Sequence, residues 1–381
     1  MTTHDSRLTT DDSSLTTHHS PLVTACHDWH KAHNGRMVDF AGWEMPVQYT
    51  TITAEHHAVR KAAGLFDIAH MGRLRFSGPD ACRFLDHLVT NDITKLQVGQ
   101  IRYALMTNEQ GGILDDVLVY RFEKFYLLVV NASNRLKILS WIEEALGSFD
   151  VQSHDWTFEK FMLALQGPKA IEILNPLVEA DLSQIPYYGG LETTVLGEPA
   201  IVTRTGYTGE DGYEVIVASD YAPKLWETLI EAGQSLGLLP AGLGCRDTLR
   251  LEAAMPLYGH ELNESIDPFT AGLSFAVKLK AGDFLGKEAL VAKQADDDRQ
   301  QRIGLELDCK RIAREGALLF SADEQIGQVT SGTFSPTFEK SIAMGYVTPQ
   351  FAQIDTRLEV DIRGKRHTAA VVELPFYKRK Q

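Results

Sequence analysis

The sequence predicts an α+β protein with antiparallel sheets, followed by an all-β C-terminal domain that resembles a small barrel. Three observations predict it. Up to residue 292, apolar runs of strand length alternate with segments of helical spacing, several of them joined as hairpins. A polar charge run, Lys293-Gln-Ala-Asp-Asp-Asp-Arg-Gln-Gln-Arg302, then interrupts the pattern and reads as a linker. Beyond it, short strands with Gly turns follow at even spacing over 303–307, 316–320, 324–331, 341–347, 358–362 and 369–374. The organisation expected is an extension over 1–20, an α+β region over 21–292, a linker over 293–302 and a β domain over 303–381.

The chain has 381 residues, enough for two or three domains. Its 44% hydrophobic content is that of an ordinary globular protein. No run of about 18 apolar residues exists, so no membrane span is expected. The net charge of −14 argues against a general nucleic-acid or anionic-membrane binder. Cys26, Cys82, Cys245 and Cys309 are far apart and form no CxxC pair, which predicts reduced thiols and a cytoplasmic protein.

In chain order, residues 1–20 nearly repeat themselves, carry little apolar mass and read as a disordered extension with solvent-exposed His18 and His19. A short helix is expected within Pro21 to Asn34. There His27, His30 and His33 recur every third residue; such a row drifts around a helix and lacks a fourth ligand, so they read as surface histidines, not as zinc ligands. Met37 to Tyr49 is a strand followed by an irregular stretch. Glu55 to Ala63 has helical spacing and Gly64 stops it. Leu65 to Phe76 runs on as a strand. Helices are expected over Pro79 to Leu88, Arg135 to Leu146, Lys169 to Leu177, Lys224 to Leu236 and from Leu243 to Glu252. Strands are expected over Ile101 to Met106, from Tyr126, over Phe161 to Leu165 and over Tyr213 to Val217.

The anomaly is Thr107 to Arg121. A turn with Gly111 and Gly112 feeds the apolar run Ile113 to Arg121, which carries Asp115 and Asp116 in its middle. Strand alternation sets Asp115 with Val117 and Val119, and Asp116 with Leu118 and Tyr120. With Gln110 and Gly111 at the centre of the turn, Tyr103 lies opposite Leu118, on the face of Asp116 and Tyr120. A one-residue slip would move it to the other face. A charge among apolar groups costs several kcal/mol (order of magnitude) unless paired. Either it is a structural carboxylate held by nearby backbone, or it belongs to a ligand or catalytic site. A second carboxylate, Glu214, opens the strand after the glycine-rich loop Thr203 to Gly212. Arg246, near the start of a helix, could cap it, pair with a carboxylate or hold a ligand acid.

Several familiar motifs are incomplete. Gly242-Leu-Gly244 lacks the third glycine of a dinucleotide fingerprint. Gly282 to Lys287 is one residue short of a P-loop. No G-x-S-x-G or HExxH occurs.

Six stretches in one order nevertheless carry a resemblance. They are Phe40-Ala-Gly-Trp-Glu-Met-Pro46, Phe66-Asp-Ile-Ala-His-Met-Gly-Arg73, Thr107 to Arg121, Arg204 to Glu214, Ala241 to Glu252, and Ser331-Gly-Thr-Phe-Ser-Pro336 with Ser341-Ile-Ala-Met-Gly-Tyr346. Together, over Pro21 to Arg379, they resemble the T-proteins of the glycine cleavage system, the tetrahydrofolate-dependent aminomethyltransferases. Ala69 stands where the family often has Ser, and Cys245 where it often has Ala. The resemblance implies that residues 21–292 form two interleaved folate-binding subdomains. It implies transfer of a one-carbon unit from the aminomethyl-dihydrolipoyl arm of H-protein to tetrahydrofolate, with release of ammonia, giving 5,10-methylenetetrahydrofolate. Coupling to the glycine decarboxylase and dihydrolipoyl dehydrogenase components is implied too. Asp116 would be the catalytic carboxylate near folate N5 and N10. Tyr103, Tyr120 and Tyr207 would line the folate pocket, Glu214 would take the pterin amino edge, and Arg246 would orient the folate. Arg379 would complete the site from the tail, and Asn131 at a strand end would join it. No metal is expected. Two rivals share the scaffold: a folate-dependent demethylase of small molecules, which needs no protein carrier, and a non-enzymatic folate-binding accessory protein, whose Lys-Gly-Cys-Tyr type motif is absent here.

Overall fold

The computed structural model describes residues 20–379. The sequence reading of 1–20 as an extension therefore lies, apart from Ser20, outside the described residues. The helices are α1 (His27–Ala32), α2 (Ile52–Lys61), α3 (Ala81–Leu88), α4 (Arg135–Ala145), α5 (Ala170–Leu174), α6 (Ala222–Gln234), α7 (Leu243–Glu252) and α8 (Lys287–Gln294). The strands before α8 are β1 (Met37–Phe40), β2 (Trp43–Pro46), β3 (Ala63–Asp67), β4 (Gly72–Ser77), β5 (Ile101–Thr107), β6 (Ile113–Arg121), β7 (Tyr126–Val130), β8 (Gln152–Asp155), β9 (Lys160–Gln166), β10 (Gly190–Val195), β11 (Glu198–Thr203), β12 (Gly212–Ala218) and β13 (Leu238–Pro240).

Two sheets form the body. One has the order β10-β11-β12-β9-β3-β13, the other β5-β6-β7-β4-β8. Pairing is antiparallel except between β13 and β3. The strands read as continuous apolar runs because both faces of each sheet are buried. Leu65, Leu163, Leu165 and Val215 face α5 and α6, where Ile173, Leu225 and Trp226 meet them. Their neighbours Phe66, Met162, Ala164 and Ile216 point the other way, against Ile101, Leu127 and Val129 of the second sheet. The outer face of that sheet, with Phe76, Val117, Val119 and Leu128, packs on Phe84 of α3 and Ile138 and Ile142 of α4. The layering is thus helix, sheet, sheet, helix.

The stretch from Leu65 to Phe76 is not the single strand expected. It is β3 and β4, in different sheets, joined by a crossing loop. The physical reason is a pair of buried charges. Asp67 accepts from Thr24 Oγ1 at 2.6 Å, His30 Nε2 at 2.9 Å and the Ala69 amide at 2.8 Å, which turns the chain. From the far side the buried Arg73 guanidinium donates to the carbonyls of Ala69, Met71 and Thr157. The histidine row also needs correcting. His33 is exposed, but His27 is half-buried against Glu44 and His30 is wholly buried. With its Nε2–H on Asp67, His30 Nδ1 accepts from the Tyr49 hydroxyl at 2.8 Å. The helix expected over 169–177 is α-helical only to Leu174 and ends in a 3₁₀ turn at Asn175–Leu177, where Pro176 brings no N–H.

Beyond α8 come β14 (Gln301–Leu307), β15 (Leu318–Ser321), β16 (Glu324–Ser335), β17 (Lys340–Val347), β18 (Arg357–Asp361) and β19 (Arg366–Val372). They close a six-stranded barrel in the order β14-β17-β16-β15-β18-β19. All four cysteines are free thiols, and among the described residues no helix is long and apolar enough to cross a membrane.

The barrel is fastened to the body through the last residue of α7. One oxygen of the buried Glu252 carboxylate accepts from Ser335 Oγ at 2.5 Å and the Thr337 amide at 3.1 Å. The other accepts from Thr337 Oγ1 at 2.7 Å and Arg60 Nη2 at 2.8 Å, with His56 Nε2 at 3.2 Å. Burial alone would raise the Glu252 pKa, but His56, Arg60 and the hydroxyls outweigh it and hold the group down at about 2. A carboxylate depressed on folding contributes stability above its ordinary value near 4.5 and loses it as pH falls toward the folded value. Stability of the parent is therefore expected to decline through this window. Glu252→Gln should flatten that limb and, at neutral pH, cost about 1.5–3 kcal/mol, because Arg60 loses one of its two carboxylates and keeps Glu210 at 3.1 Å; urea unfolding as a function of pH measures both.

Candidate active site

The hairpin β5–β6 follows the expected register, with Tyr103 opposite Leu118. Its tip needs glycine twice. Gly111 takes φ +78°, and a Cβ on Gly112 would lie 1.8 Å from the Glu264 carbonyl oxygen. Asn108 Oδ1 accepts from the Gln110 and Gly112 amides, and Ile113 donates to Ile266. The hairpin is thereby tied to the segment after α7.

Alternation separates the two aspartates. Asp115 turns to the helical side and is wholly buried. It accepts from the Asn131 amide at 3.0 Å, Asn131 Nδ2 at 2.7 Å and Asn134 Nδ2 at 2.7 Å. Asp116 turns to the space between the sheets. Its oxygens accept from Asn131 Nδ2 at 2.8 Å and from the Tyr103 hydroxyl at 3.1 Å. Burial raises both carboxyls above the ordinary range, and the charge of Asp116 adds to the rise at Asp115; the amide and hydroxyl donors pull the other way.

Asp116 forms part of the wall of a cavity of about 590 Å³, within the size of small-molecule sites. The same wall carries Tyr103, Asn131, Tyr207, Glu214 and Arg246. Glu214 begins β12 and accepts from Thr205 Oγ1 at 2.5 Å; burial raises its pKa. Tyr207 donates to the Pro256 carbonyl at 2.5 Å, and the Arg246 guanidinium lies 4.7 Å from its ring centroid. Arg246 reaches the wall because α7 starts against the body: Gly244 donates to Val47 at 2.9 Å, and a Cβ on Gly242 would clash with the Val47 backbone at 2.4 Å. The two glycines of the incomplete dinucleotide motif serve this close approach. Burial lowers the Arg246 pKa, and no carboxylate among the described residues forms an ion pair with it.

Two expected residues stand outside this wall. Tyr120 shares a face with Asp116 but is buried between the sheets, its ring 6.4 Å from that of Phe122. The face continues past the cavity into the core. Arg379 lies 3.3 Å from Asp211 and 5.4 Å from the Tyr187 ring. Conversely, His70, Met71, Tyr188, Tyr258 and Phe275 line the cavity without having been singled out. His70 and Met71 sit on the crossing loop, in the stretch Phe66 to Arg73; its signal was visible, but no spacing rule points a loop side chain inward. Tyr188 takes φ +60°, an uncommon conformation for tyrosine that only coordinates reveal. Phe275 stacks on Tyr103 with centroids 5.8 Å apart.

The cavity thus presents two carboxylates, one guanidinium and several flat rings. It can hold a planar, amine-rich heterocycle at one end and an acidic group near Arg246. Among the described residues, no group of three or more His, Cys, Asp or Glu could hold a metal ion.

The chain matches two family models, the GCVT N-terminal domain over residues 26–281 and the glycine cleavage T-protein C-terminal barrel domain over residues 300–378. It is 45% identical over 357 residues to an aminomethyltransferase of Desulfitobacterium hafniense, covering 93% of this chain and 98% of that one. Against an aminomethyltransferase of Symbiobacterium thermophilum it is 47% identical over 363 residues, covering 93% and 97%. The crystal structure of glycine cleavage system aminomethyltransferase T from Bartonella henselae superposes with a TM-score of 0.87 at 34% identity, covering 93% of this chain and 98% of that one. With the two-sheet body, the closed barrel and near-complete coverage of its relatives, this chain belongs to the glycine cleavage T-protein family and is an aminomethyltransferase.

Proposed function

We propose that the enzyme transfers the one-carbon unit from the aminomethyl-dihydrolipoyl arm of H-protein to tetrahydrofolate, releasing ammonia and giving 5,10-methylenetetrahydrofolate. The observation that carries this reading is the carboxylate Asp116, lining a cavity that also offers a second carboxylate, Glu214, and the Arg246 guanidinium. The donor set suits tetrahydrofolate. Glu214, with one oxygen on Thr205, has acceptor capacity left for adjacent N–H donors of a pterin edge. Tyr103 and Tyr207 offer ring faces for the pterin and benzoyl groups. Arg246 offers its guanidinium, which forms no ion pair among the described residues, to a ligand carboxylate. Bound tetrahydrofolate would supply the two nitrogens that take up the carbon.

Asp116 is held in place by Asn131 and Tyr103, so it orients the acceptor and stabilises the positive charge that develops at the transferred carbon and nitrogen. Asp115 and Asn134 act behind it by fixing Asn131, which gives that asparagine a positioning role. H-protein is the donor in this reading, and the glycine decarboxylase and dihydrolipoyl dehydrogenase components load and reoxidise its arm.

Asp116→Asn should keep folate binding in equilibrium titration and lose about 100-fold in transfer from aminomethylated H-protein; a parental rate would remove Asp116 from the mechanism. Because burial raises the Asp116 pKa, turnover should fall on the acid side with an apparent pKa above the ordinary carboxylate value of 3.8. Asn131→Ala should move that limb further upward, and Asp116→Asn should abolish it; a pH–kcat profile of the three proteins decides. Glu214→Ala should weaken tetrahydrofolate binding about tenfold or more while the fold persists, since a charge-assisted contact contributes about 1.5–3 kcal/mol. Unchanged affinity would leave Glu214 a structural residue.

A further inference from the structure

We infer that Tyr258, backed by the Lys137 ammonium, is the proton donor to the sulfur that leaves when the aminomethyl-dihydrolipoyl arm gives up its carbon. The inference rests on the transfer reading above and adds an acid to the carboxylate Asp116.

Tyr258 follows α7 and belongs to the wall of the main cavity, with Asp116 and Asn131. It stands near enough to the aspartate pair for the charge of Asp115 to bear on its phenol. Asn131 and Asn134 hold the aspartates. Three residues further on, Lys137 of α4 turns to Tyr258: its Nζ donates to the phenol oxygen at 2.7 Å and to Glu264 at 2.9 Å. The Glu264 carbonyl in turn accepts from Asn108 Nδ2 at the tip of the β5–β6 hairpin, at 3.3 Å. The hairpin that carries Asp116, the helix that carries Lys137 and the segment that carries Tyr258 are thus fixed to one another.

The four tyrosines of the wall use their hydroxyls differently. Tyr103 donates to Asp116 and Tyr207 to the Pro256 carbonyl, so those two protons are committed. Burial, Tyr187, Glu214 and Asp116 all raise the Tyr188 pKa, which makes it a poorer acid. Tyr258 alone of the four takes a hydrogen bond from a cation, and among the described residues its own O–H has no acceptor. A hydroxyl that accepts from an ammonium still has a proton to give. Burial raises the Tyr258 pKa and Lys137 pulls it back. Burial would lower Lys137, but Tyr258 and Glu264 outweigh it and keep the ammonium charged. A phenolate formed here is therefore paired at once with a cation.

The step balances. The C–S bond breaks with its electron pair on sulfur, and the sulfur takes the Tyr258 proton and leaves as the dihydrolipoyl thiol. The phenolate, held by Lys137, regains a proton from water; the exposed Ser133, also in the cavity wall, marks an opening on this side. Two protons given up by the acceptor nitrogens balance the one gained by sulfur and the one gained by the nitrogen that leaves as ammonia. A phenol suits this task because its proton affinity is close to that of an alkyl thiolate.

The test uses the full-length protein and its Tyr258→Phe, Lys137→Met and Lys137→Arg variants. Tyr258→Phe should lower kcat for thiol release from aminomethylated H-protein about 100-fold, with KM for H-protein and tetrahydrofolate affinity kept. Lys137→Met should lower kcat about tenfold and Lys137→Arg should restore most of it; Lys137 is partly exposed, so both should fold. In NMR of ring-labelled tyrosine without any ligand, the signal missing from Tyr258→Phe should titrate at higher pH in Lys137→Met, by about one pH unit or more. A parental kcat in Tyr258→Phe overturns the proposal, and so does a loss confined to KM or to folate affinity, which makes Tyr258 a binding residue. An unmoved titration in Lys137→Met removes the lysine from it. A parent that releases neither thiol nor ammonia from aminomethylated H-protein brings down the transfer reading itself, whereas an active parent beside an unimpaired Tyr258→Phe brings down this proposal alone.

Discussion

Glu252, at the end of α7, collects donors from two other parts of the chain: His56 and Arg60 on α2, and Ser335 and Thr337 of the barrel. A buried carboxylate is tolerated because every oxygen lone pair has a donor. The backbone of the same residue accepts from Tyr377, and Arg60 lies 3.8 Å from the Tyr377 ring, so the C-terminal segment is held at the same point. A few residues away, Arg250 joins Glu261 to Ser331 and repeats the arrangement. Body and barrel are thus joined by hydrogen bonds between the body's buried charges and barrel hydroxyls and amides, beside an apolar contact of Leu251 and Ala254 on Ile342 and Met344. The C-terminal end of α7 is fixed by this joint, as its start, next to Arg246, is fixed by Gly244 on Val47.

The site inherits the opposite constraint. Among the described residues, Asp115 and Asp116 have no cation within ion-pair reach, and their neighbours are amides and a phenol. Neutral donors fix a carboxylate in position without cancelling its charge. The charge of Asp116 therefore remains available to whatever positive charge enters the cavity, and burial holds its pKa above the ordinary carboxylate range.

Much of this was legible in the residues. Period-two alternation along Ile113 to Arg121 assigned Asp115 and Asp116 to opposite faces before any coordinates, and the turn glycines set the register that brings Tyr103 to Asp116. The even spacing after Arg302 announced the barrel. Other features were out of reach for physical reasons. Tyr120 obeys the same alternation as Asp116, but alternation states a face and not where along that face a cavity ends. The break between β3 and β4 depends on Asp67 meeting His30 and on Arg73 meeting Thr157, contacts across 37 and 84 residues of sequence. His30 looked like a surface residue because a three-residue repeat carries no information about its distant partners. Strands β10 and β11 escaped notice because their residues are partly polar, Glu192, Thr193 and Thr194 among them.

The crossing loop has one more consequence, for the order in which the molecule can be assembled. The chain leaves the first sheet at Asp67, builds the whole second sheet, and returns at Lys160 to pair β9 with β3. The edge strand β13 pairs with β3 only at Leu238–Pro240, far along the chain. A ribosome must therefore expose some 170 residues beyond β3 before that strand gains its parallel neighbour, and the first sheet, unlike the second, is not a contiguous unit of the chain. Such long-range pairing is paid in folding speed. In return, the cavity wall between the sheets is formed only by a completed body, so that no half-made fragment carries a working pocket.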